Sequence, residues 1–308
     1  MANVVVTGIA GCIGSWIARH LLEEGHRVIG IDVAQDLPNA RLLGIQGDFE
    51  LHRIDVTDSE AFSATLRDAQ PDGIIHLASL LMPKCKENPM LCVDVNVKSF
   101  MTVLESAREL GSNVAYASSA WVLNAPEGDR MVTEADPTDP QSLYGVFKMV
   151  NEGMSQTYAR DFGVKSNGLR PYIVYGPGRE VGLTADINLA LLAASRGQPY
   201  RIGFGGTVAL HHASDVAKLF IKLALSPVAG GKVYNVRGTV EPMAEVVNTI
   251  ERVTGTSGLL EAADNSLPIA ANLSDAALQK DYGPFDYLSL EEGFGQTLGV
   301  YRQAGVLE

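Results

Sequence analysis

Residues 1–14 read MANVVVTGIAGCIG, and residues 15–22 continue as SWIARHLL. The valines at 4–6 form a β-branched run that is typical of a strand buried on both faces of a parallel sheet. The glycines that follow permit a tight turn, and the apolar spacing after them predicts a helix. Such a turn presents backbone N–H groups and a helix dipole to an anion. The opening therefore predicts a phosphate cradle, formed by Gly8, Gly11, Cys12, Ile13 and Gly14.

A second apolar run covers residues 27–31 and ends in Asp32, 18 residues after the last loop glycine. A carboxylate at the tip of the second strand is placed to hydrogen-bond the adenosine ribose of a dinucleotide. The same carboxylate would repel a 2′-phosphate, and Val33, Ala34 and Gln35 offer no cation to hold one. This pattern favours NAD over NADP, and its alternative is a solvated Asp at a strand end.

The heptapeptide SLYGVFK at 142–148 places Tyr144 and Lys148 one helical turn apart on the same face. A phenol has a pKa of about 10, and a nearby ammonium favours the phenolate. Lowering the pKa by about three units requires roughly 4 kcal/mol, more than Lys148 alone is expected to supply. A cationic nicotinamide ring and a nearby hydroxyl are expected to supply the rest. The alternative is a pair that simply extends along a helix surface.

Composition excludes several classes of function. The chain has 308 residues and a net charge of −12, so the basic footprint of a nucleic-acid-binding protein is missing. No apolar run approaches the ~18 residues of a membrane span, and because the sequence opens on a core strand we expect no signal peptide. Three cysteines, an odd number without metal-ligand spacing, suit a reducing compartment, and we expect a cytoplasmic protein without a metal. The neighbouring His211 and His212 lack further ligands at metal-binding spacing and are expected in a polar loop.

Predicted strands and helices alternate regularly through the first half of the chain. This alternation predicts an α/β fold: a Rossmann-type doubly wound parallel sheet with a small C-terminal substrate-binding subdomain. We expect an NAD-binding domain over residues 1–175 and a substrate-binding region over 176–308. Within the latter, residues 207–237 are expected to pack back onto the Rossmann core.

From residue 3 to about 237 the chain resembles the extended short-chain dehydrogenase/reductase family, which includes NAD-dependent epimerases and dehydratases. The resemblance rests on a Thr-Gly-x-x-Gly-x-x-Gly motif at 7–14, a His-Leu-Ala-Ser segment at 76–79, and Tyr-x-x-x-Lys at 144–148. It implies NAD as cofactor and often a homodimer through the two long helices that contain Asn96 and Tyr144. The implied catalytic residues are Ser119, Tyr144 and Lys148. The implied cofactor contacts are Gly8, Gly11, Cys12, Ile13, Gly14, Asp32, Asp55, Val56, Leu77, Ala78, Ser79, Asn96, Tyr144, Lys148, Pro171 and Ile173.

Departures from the family pattern bear on the substrate. Nucleotide-sugar members usually carry an arginine for the substrate pyrophosphate where this chain has Val208. A buried pyrophosphate without a cation costs several kcal/mol, so such a substrate is disfavoured unless Arg179 or Arg201 replaces that arginine. Ala120 and Trp121 stand where a dehydratase has an Asp-Glu pair, which disfavours dehydration.

We therefore expect an oxidoreductase that acts on a hydroxyl or carbonyl of a small polyhydroxy compound, such as a sugar, sugar acid or lactone. Ser119, Arg179 and Lys84 are the candidate substrate contacts, the last two because they are cations suited to a substrate anion. Two alternatives stay open: a nucleotide-sugar 4-epimerase that retains its NAD, and a non-catalytic NAD-sensing protein.

Overall fold

The computed structural model describes residues 1–45, 49–126, 130–226 and 228–308. The strands in this part of the chain are β1 (Asn3–Thr7), β2 (Arg27–Asp32), β3 (Glu50–Arg53), β4 (Gly73–His76), β5 (Asn113–Ala117), β6 (Ser166–Arg170), β7 (Ile173–Tyr175), β8 (Tyr200–Ile202), β9 (Thr207–His212), β10 (Val233–Asn235), β11 (Thr239–Pro242) and β12 (Leu260–Ala262). The α-helices are α1 (Cys12–Glu23), α2 (Pro38–Leu42), α3 (Ser59–Ala69), α4 (Met82–Glu87), α5 (Pro89–Val93), α6 (Ser99–Leu110), α7 (Leu143–Phe162), α8 (Asp186–Ser195), α9 (Ala213–Leu225), α10 (Met243–Thr254), α11 (Ala276–Tyr282) and α12 (Leu290–Gln303).

A parallel sheet forms the centre of the larger lobe. Among the described residues it has seven strands in the order β10-β6-β5-β4-β1-β2-β3, and every neighbouring pair is parallel. The strand order reverses between β1 and β4, and such a reversal opens a crevice at the carboxyl ends of the strands. The predicted Rossmann-type fold is confirmed.

Local sequence signals explain where several helices begin and end. Asp58 caps α3 by accepting a hydrogen bond from the Ala61 amide at 3.1 Å, and Ser142 caps α7 by accepting one from Gly145 at 3.1 Å. Gly163 follows α7 in the left-handed conformation that commonly ends a helix. These caps fix the register of α7, which carries Tyr144 and Lys148.

Two elements interrupt the regular alternation of strands and helices. Residues 166–175 form two strands, β6 and β7, which separate at Pro171 because proline has no N–H to give to a ladder. The helical segment before α6 contains a π-helical turn over Asp94–Lys98. Such turns are frequent at functional sites.

The smaller lobe contains a three-stranded sheet in the order β11-β9-β7 and the pair β12-β8, counted among the described residues. After β9 the chain returns to the larger lobe, where α9 packs against α1 and β10 joins the edge of the parallel sheet.

The buried Cys85 and Cys92 form a disulfide. This differs from the expectation that the cysteines suit a reducing compartment. No helix in the described ranges is long and apolar enough to span a membrane.

Candidate functional site

A groove runs across the carboxyl ends of the central strands, and the glycine turn forms its floor. Gly8 has a φ of +71°, and a side chain there would lie 2.9 Å from the backbone nitrogen of Ala78. A side chain at Gly14 would lie 2.3 Å from the carbonyl oxygen of Gly8. Helix α1 begins at Cys12 without a side-chain cap, so its first backbone N–H groups are available to an anion. The turn therefore fits the diphosphate of a dinucleotide.

One half of the groove is a cavity of about 510 Å³ beside the tips of β2 and β3. Asp32 lies at its edge, where its carboxylate accepts hydrogen bonds from the amides of Ala10 at 2.9 Å and Ala34 at 3.0 Å. Each carboxylate oxygen has a second lone pair, so the group can still accept a ribose hydroxyl. The predicted cofactor residues that line this half are Gly8, Gly11, Asp32, Asp55, Val56, Leu77, Ala78 and Ser79.

The other half, a cavity of about 240 Å³, brings the three candidate catalytic residues together. Ser119 follows the end of β5, and its hydroxyl is within hydrogen-bond reach of Tyr144. Lys148 is 4% exposed, and its Nζ lies 5.4 Å from the centroid of the Tyr144 ring. The predicted cofactor and substrate residues that line this half are Gly8, Gly11, Cys12, Ile13, Gly14, Leu77, Ser79, Ser119, Tyr144, Lys148, Pro171 and Arg179.

Burial shifts the pKa values of both Tyr144 and Lys148 toward their neutral forms. Burial raises the pKa of Tyr144 above its ordinary value, while the Ser119 hydroxyl and the Arg179 charge act to lower it. Burial also lowers the pKa of Lys148 to about 8. In the protein alone, then, Lys148 does not bring the pKa of Tyr144 below its ordinary value.

Three predicted contacts do not line the groove. Asn96 is 1% exposed in the π-helical turn, where its amide binds the backbone of Leu80 at 2.7 and 3.0 Å, so it shapes the groove wall from behind. Ile173 is fully buried because strand alternation turns Val174 toward the groove instead. Lys84 lies on the surface, where it pairs with Glu87 at 2.9 Å.

Several residues that sequence reasoning did not identify also line the groove: Ala10, Ile31, Val33, Ile54, Leu80, Leu81, Leu91, Val95, Ala117, Ser118, Tyr172 and Val174. Most have apolar side chains and are next in sequence to a motif residue. Their position beside the motif is the only sequence signal that could have identified them. Asn39 was also missed: its side-chain amide donates to the Ala10 carbonyl at 2.9 Å and lies against Gly178. No motif marks Asn39, because it comes from a separate helix, α2.

The neighbouring histidines do not lie in a polar loop as expected. They end strand β9 and are buried, His211 with 1% and His212 with 2% exposure. His212 contacts Thr297 at 3.3 Å, while burial lowers the pKa of both rings to about 3. Across the described residues, no three His, Cys, Asp or Glu side chains are grouped so that they would hold a metal ion.

The substrate end of the groove contains one candidate anion-binding group. Arg179 lines the cavity beside Tyr144, and its Nη2 donates to Thr184 Oγ1 at 3.1 Å. Its Nε has no hydrogen-bond partner among the described residues. Val208 is fully buried in the core of the smaller lobe, and Arg201 is exposed on β8 outside the groove. Of the three positions considered, Arg179 is the one that places an arginine in the described lining of the groove.

Comparison with known proteins identifies the family of the chain. The model of the NAD dependent epimerase/dehydratase family matches residues 4–236. UDP-glucose 4-epimerase of Mycolicibacterium smegmatis is 27% identical over 316 residues, covering 97% of this chain and 98% of that protein. Protein CapI of Staphylococcus aureus is 34% identical over 183 residues, covering 57% of this chain and 55% of CapI, so the match spans about half of that relative.

A solved structure shows the same architecture over nearly the whole chain. UDP-glucose 4-epimerase of Thermus thermophilus, in complex with NAD, has a TM-score of 0.84 and 25% identity, covering 97% of this chain and 98% of that one. The matched range contains the glycine turn, Asp32, Ser119, Tyr144 and Lys148. The chain is thus a member of the NAD-dependent epimerase/dehydratase family of extended short-chain dehydrogenases/reductases, and NAD is its cofactor.

Proposed function

We propose that the protein is an NAD-dependent oxidoreductase acting on a hydroxyl or carbonyl of a small polyhydroxy substrate, such as a sugar, sugar acid or lactone. The observation that carries the proposal is the burial of Val208, which is fully enclosed where the family resemblance implies an arginine for a substrate pyrophosphate. Because a pyrophosphate left without a cation is costly, a compact substrate suits this groove better than a nucleotide sugar.

In this proposal, each side chain around the groove has a distinct role in the reaction. NAD supplies the hydride acceptor or donor when it is bound. Tyr144 takes the proton of the substrate hydroxyl during oxidation and returns it during reduction. Ser119 hydrogen-bonds the same substrate oxygen and, by its contact with Tyr144, favours the phenolate. Lys148 would hold the ribose of the nicotinamide nucleotide, and its charge together with that of the oxidised nicotinamide ring would stabilise the phenolate.

Arg179 gives the substrate end a preference for an anion. A guanidinium presents several donors in a fixed plane that matches a carboxylate. We therefore favour sugar acids among the candidate substrates. Arg179 and the Val208 strand both belong to the substrate-binding region that we propose over residues 176–308.

A nucleotide-sugar 4-epimerase is the second candidate, and the UDP-glucose 4-epimerases among the relatives favour it. An epimerase must keep its keto-sugar intermediate bound while the sugar ring rotates, so that the opposite face of the ring faces the cofactor. A nucleotide diphosphate held by a cation provides that anchor, and Arg179 would have to serve in place of the missing arginine. The two candidates thus differ in whether the oxidised product leaves.

A turnover assay distinguishes the candidates. Purified protein is mixed with NAD and a panel of aldoses, uronates, aldonates, lactones and UDP-sugars, and absorbance is followed at 340 nm. Net NADH formation with a non-nucleotide compound supports the proposal, with Tyr144→Phe as the control. Isomerised UDP-sugar without net NADH supports the epimerase and refutes the dehydrogenase. Cofactor binding without any conversion supports an NAD-sensing protein.

We also propose a homodimer formed through α6 and α7. Four apolar side chains on these helices are exposed: Met101 and Val150 at 38%, Leu143 at 45% and Phe162 at 46%. A matching pair of helices from a second copy would cover them. Sedimentation velocity on Val150→Glu should show a monomer, while Val306→Glu near the C-terminus should sediment as the wild type does. A monomeric wild type would refute the dimer.

A further inference from the structure

The hydroxyl of Tyr301, on helix α12, is saturated by partners from a single stretch of chain. It accepts hydrogen bonds from the Gly178 amide at 3.0 Å and from Asn188 Nδ2 at 3.2 Å, and it donates to Glu180 Oε1 at 3.0 Å. A phenol has one hydrogen and two lone pairs, so these bonds use its whole capacity. Tyr301 is 1% exposed and Asn188 is fully buried, whereas Gly178 and Glu180 lie at the edge of the buried region.

Two partners of this hydroxyl, Gly178 and Glu180, are the neighbours of Arg179 in sequence. The Arg179 amide itself donates to the Gly176 carbonyl at 3.1 Å. In the same loop, the Cys12 thiol contacts the Pro177 carbonyl at 3.3 Å. The loop is therefore attached to the glycine turn at Pro177 and to helix α12 at both neighbours of the arginine.

We infer that Tyr301 positions Arg179, so that helix α12, which lies beyond the residues matched by the family, sets the affinity of the groove for an anionic substrate. The inference rests on the proposed role of Arg179 in substrate binding. Without the hydroxyl, the fully buried Asn188 amide would lose a partner, the partly exposed Gly178 N–H would lose its acceptor, and Glu180 would lose its donor. Buried polar groups left unpaired drive local rearrangement, and any rearrangement here displaces the guanidinium.

The test compares Tyr301→Phe with Tyr234→Phe. The two tyrosines are matched, because each is 1% exposed and each donates its hydroxyl hydrogen to a carboxylate, that of Tyr234 to Asp281 at 2.7 Å. Tyr234 lies on β10, away from the groove. Hydrogen exchange of the amides in residues 176–185 and the rate at which Ellman's reagent labels Cys12 report the loop directly and need no substrate.

We expect Tyr301→Phe to accelerate exchange in residues 176–185 by roughly tenfold or more, and to speed labelling of Cys12, while Tyr234→Phe matches the wild type at both. With an anionic substrate from the panel, KM should rise about tenfold, kcat should stay within about threefold, and KM for NAD should not change. Unchanged exchange in the loop, or a loosened loop with an unchanged KM, would overturn the inference. A panel without any turnover would instead refute the proposed function and leave the exchange result to decide the positioning.

Discussion

Glu152 and Arg170 form a bidentate ion pair in the interior of the larger lobe. The distances are 2.8 Å from Nε to Oε1 and 2.7 Å from Nη2 to Oε2, and each side chain is 5% exposed. Oε1 also accepts a hydrogen bond from Ser118, the neighbour of Ser119. The pair therefore joins α7, one turn after Lys148, to β6 and to the end of β5.

Replacing Glu152 with Ala should destabilise the protein by about 3–5 kcal/mol, because it leaves the Arg170 charge buried and uncompensated. Urea unfolding measures the free energy of unfolding of the variant and the wild type. Glu23→Ala is the control, since Glu23 pairs with Arg19 on the surface, and it should cost less than about 1 kcal/mol. Equal losses in the two variants would show that the buried pair is not a structural support.

Tyr144→Phe should reduce turnover by about two to four decades, because it removes the proton acceptor and leaves the ring in place. NAD affinity should stay within a few-fold, since the groove around the diphosphate is unchanged. Initial rates at 340 nm and calorimetric titration with NAD measure the two quantities. A variant that keeps more than a tenth of the wild-type rate would refute the assignment of Tyr144 as the catalytic acid-base.

Gly14→Ala should abolish tight NADH binding, because the added carbon would lie 2.3 Å from the Gly8 carbonyl oxygen and force the turn apart. Gly153→Ala is the matched control: it is also a glycine within a helix, but a side chain there meets nothing within 4 Å. That control should preserve binding and raise stability by up to about 1 kcal/mol through helix propensity. Fluorescence titration with NADH compares the two, and normal binding by Gly14→Ala would contradict the cradle.

Acid should weaken the fold through its buried histidines. Burial lowers the pKa of His76, His211 and His212 to about 3, whereas the same groups in the unfolded chain titrate near 6.5. Between these values the unfolded chain binds more protons, so the free energy of unfolding falls as the pH falls below about 6.5. The loss is up to roughly 1.4 kcal/mol per pH unit for each histidine. Urea unfolding from pH 7.5 to 5 measures how the free energy of unfolding changes with pH. His211→Gln should reduce that slope by up to the contribution of one proton. An unchanged slope would show that His211 does not contribute to the loss of stability in acid.

The parts of the fold predicted from sequence are those governed by local chemistry. The β-branched run before Gly8 and the cap at Ser142 each specify an element with few neighbours involved, and both elements appear as expected. The separation of β6 from β7 around Pro171 follows from the sheet that each strand joins: β6 pairs with β5 and β10, whereas β7 pairs with β9. Such long-range pairing leaves little signal near residue 171.

The candidate site shows the same division. The glycine turn, Asp32 and the Tyr144–Lys148 pair could be predicted because short-range spacing along the chain determines where these residues lie relative to one another. Ile173 was misplaced because the direction of a side chain changes with each residue of a strand, and the start of β7 was not known. The contacts of Tyr301 were not predicted at all, since they join residues 121 and 123 positions apart in sequence.

The path of the chain between the two lobes limits how substrate-binding segments can be recombined between members of this family. The larger sheet is complete only when β10 arrives, after the chain has already built β7 and β9 in the smaller lobe. A single recombination crossover after residue 175 would import a foreign edge strand and a foreign α9 against the native α1. Transplanting a new specificity therefore needs at least two crossovers, with the segment from α9 to β10 inherited together with the nucleotide-binding half.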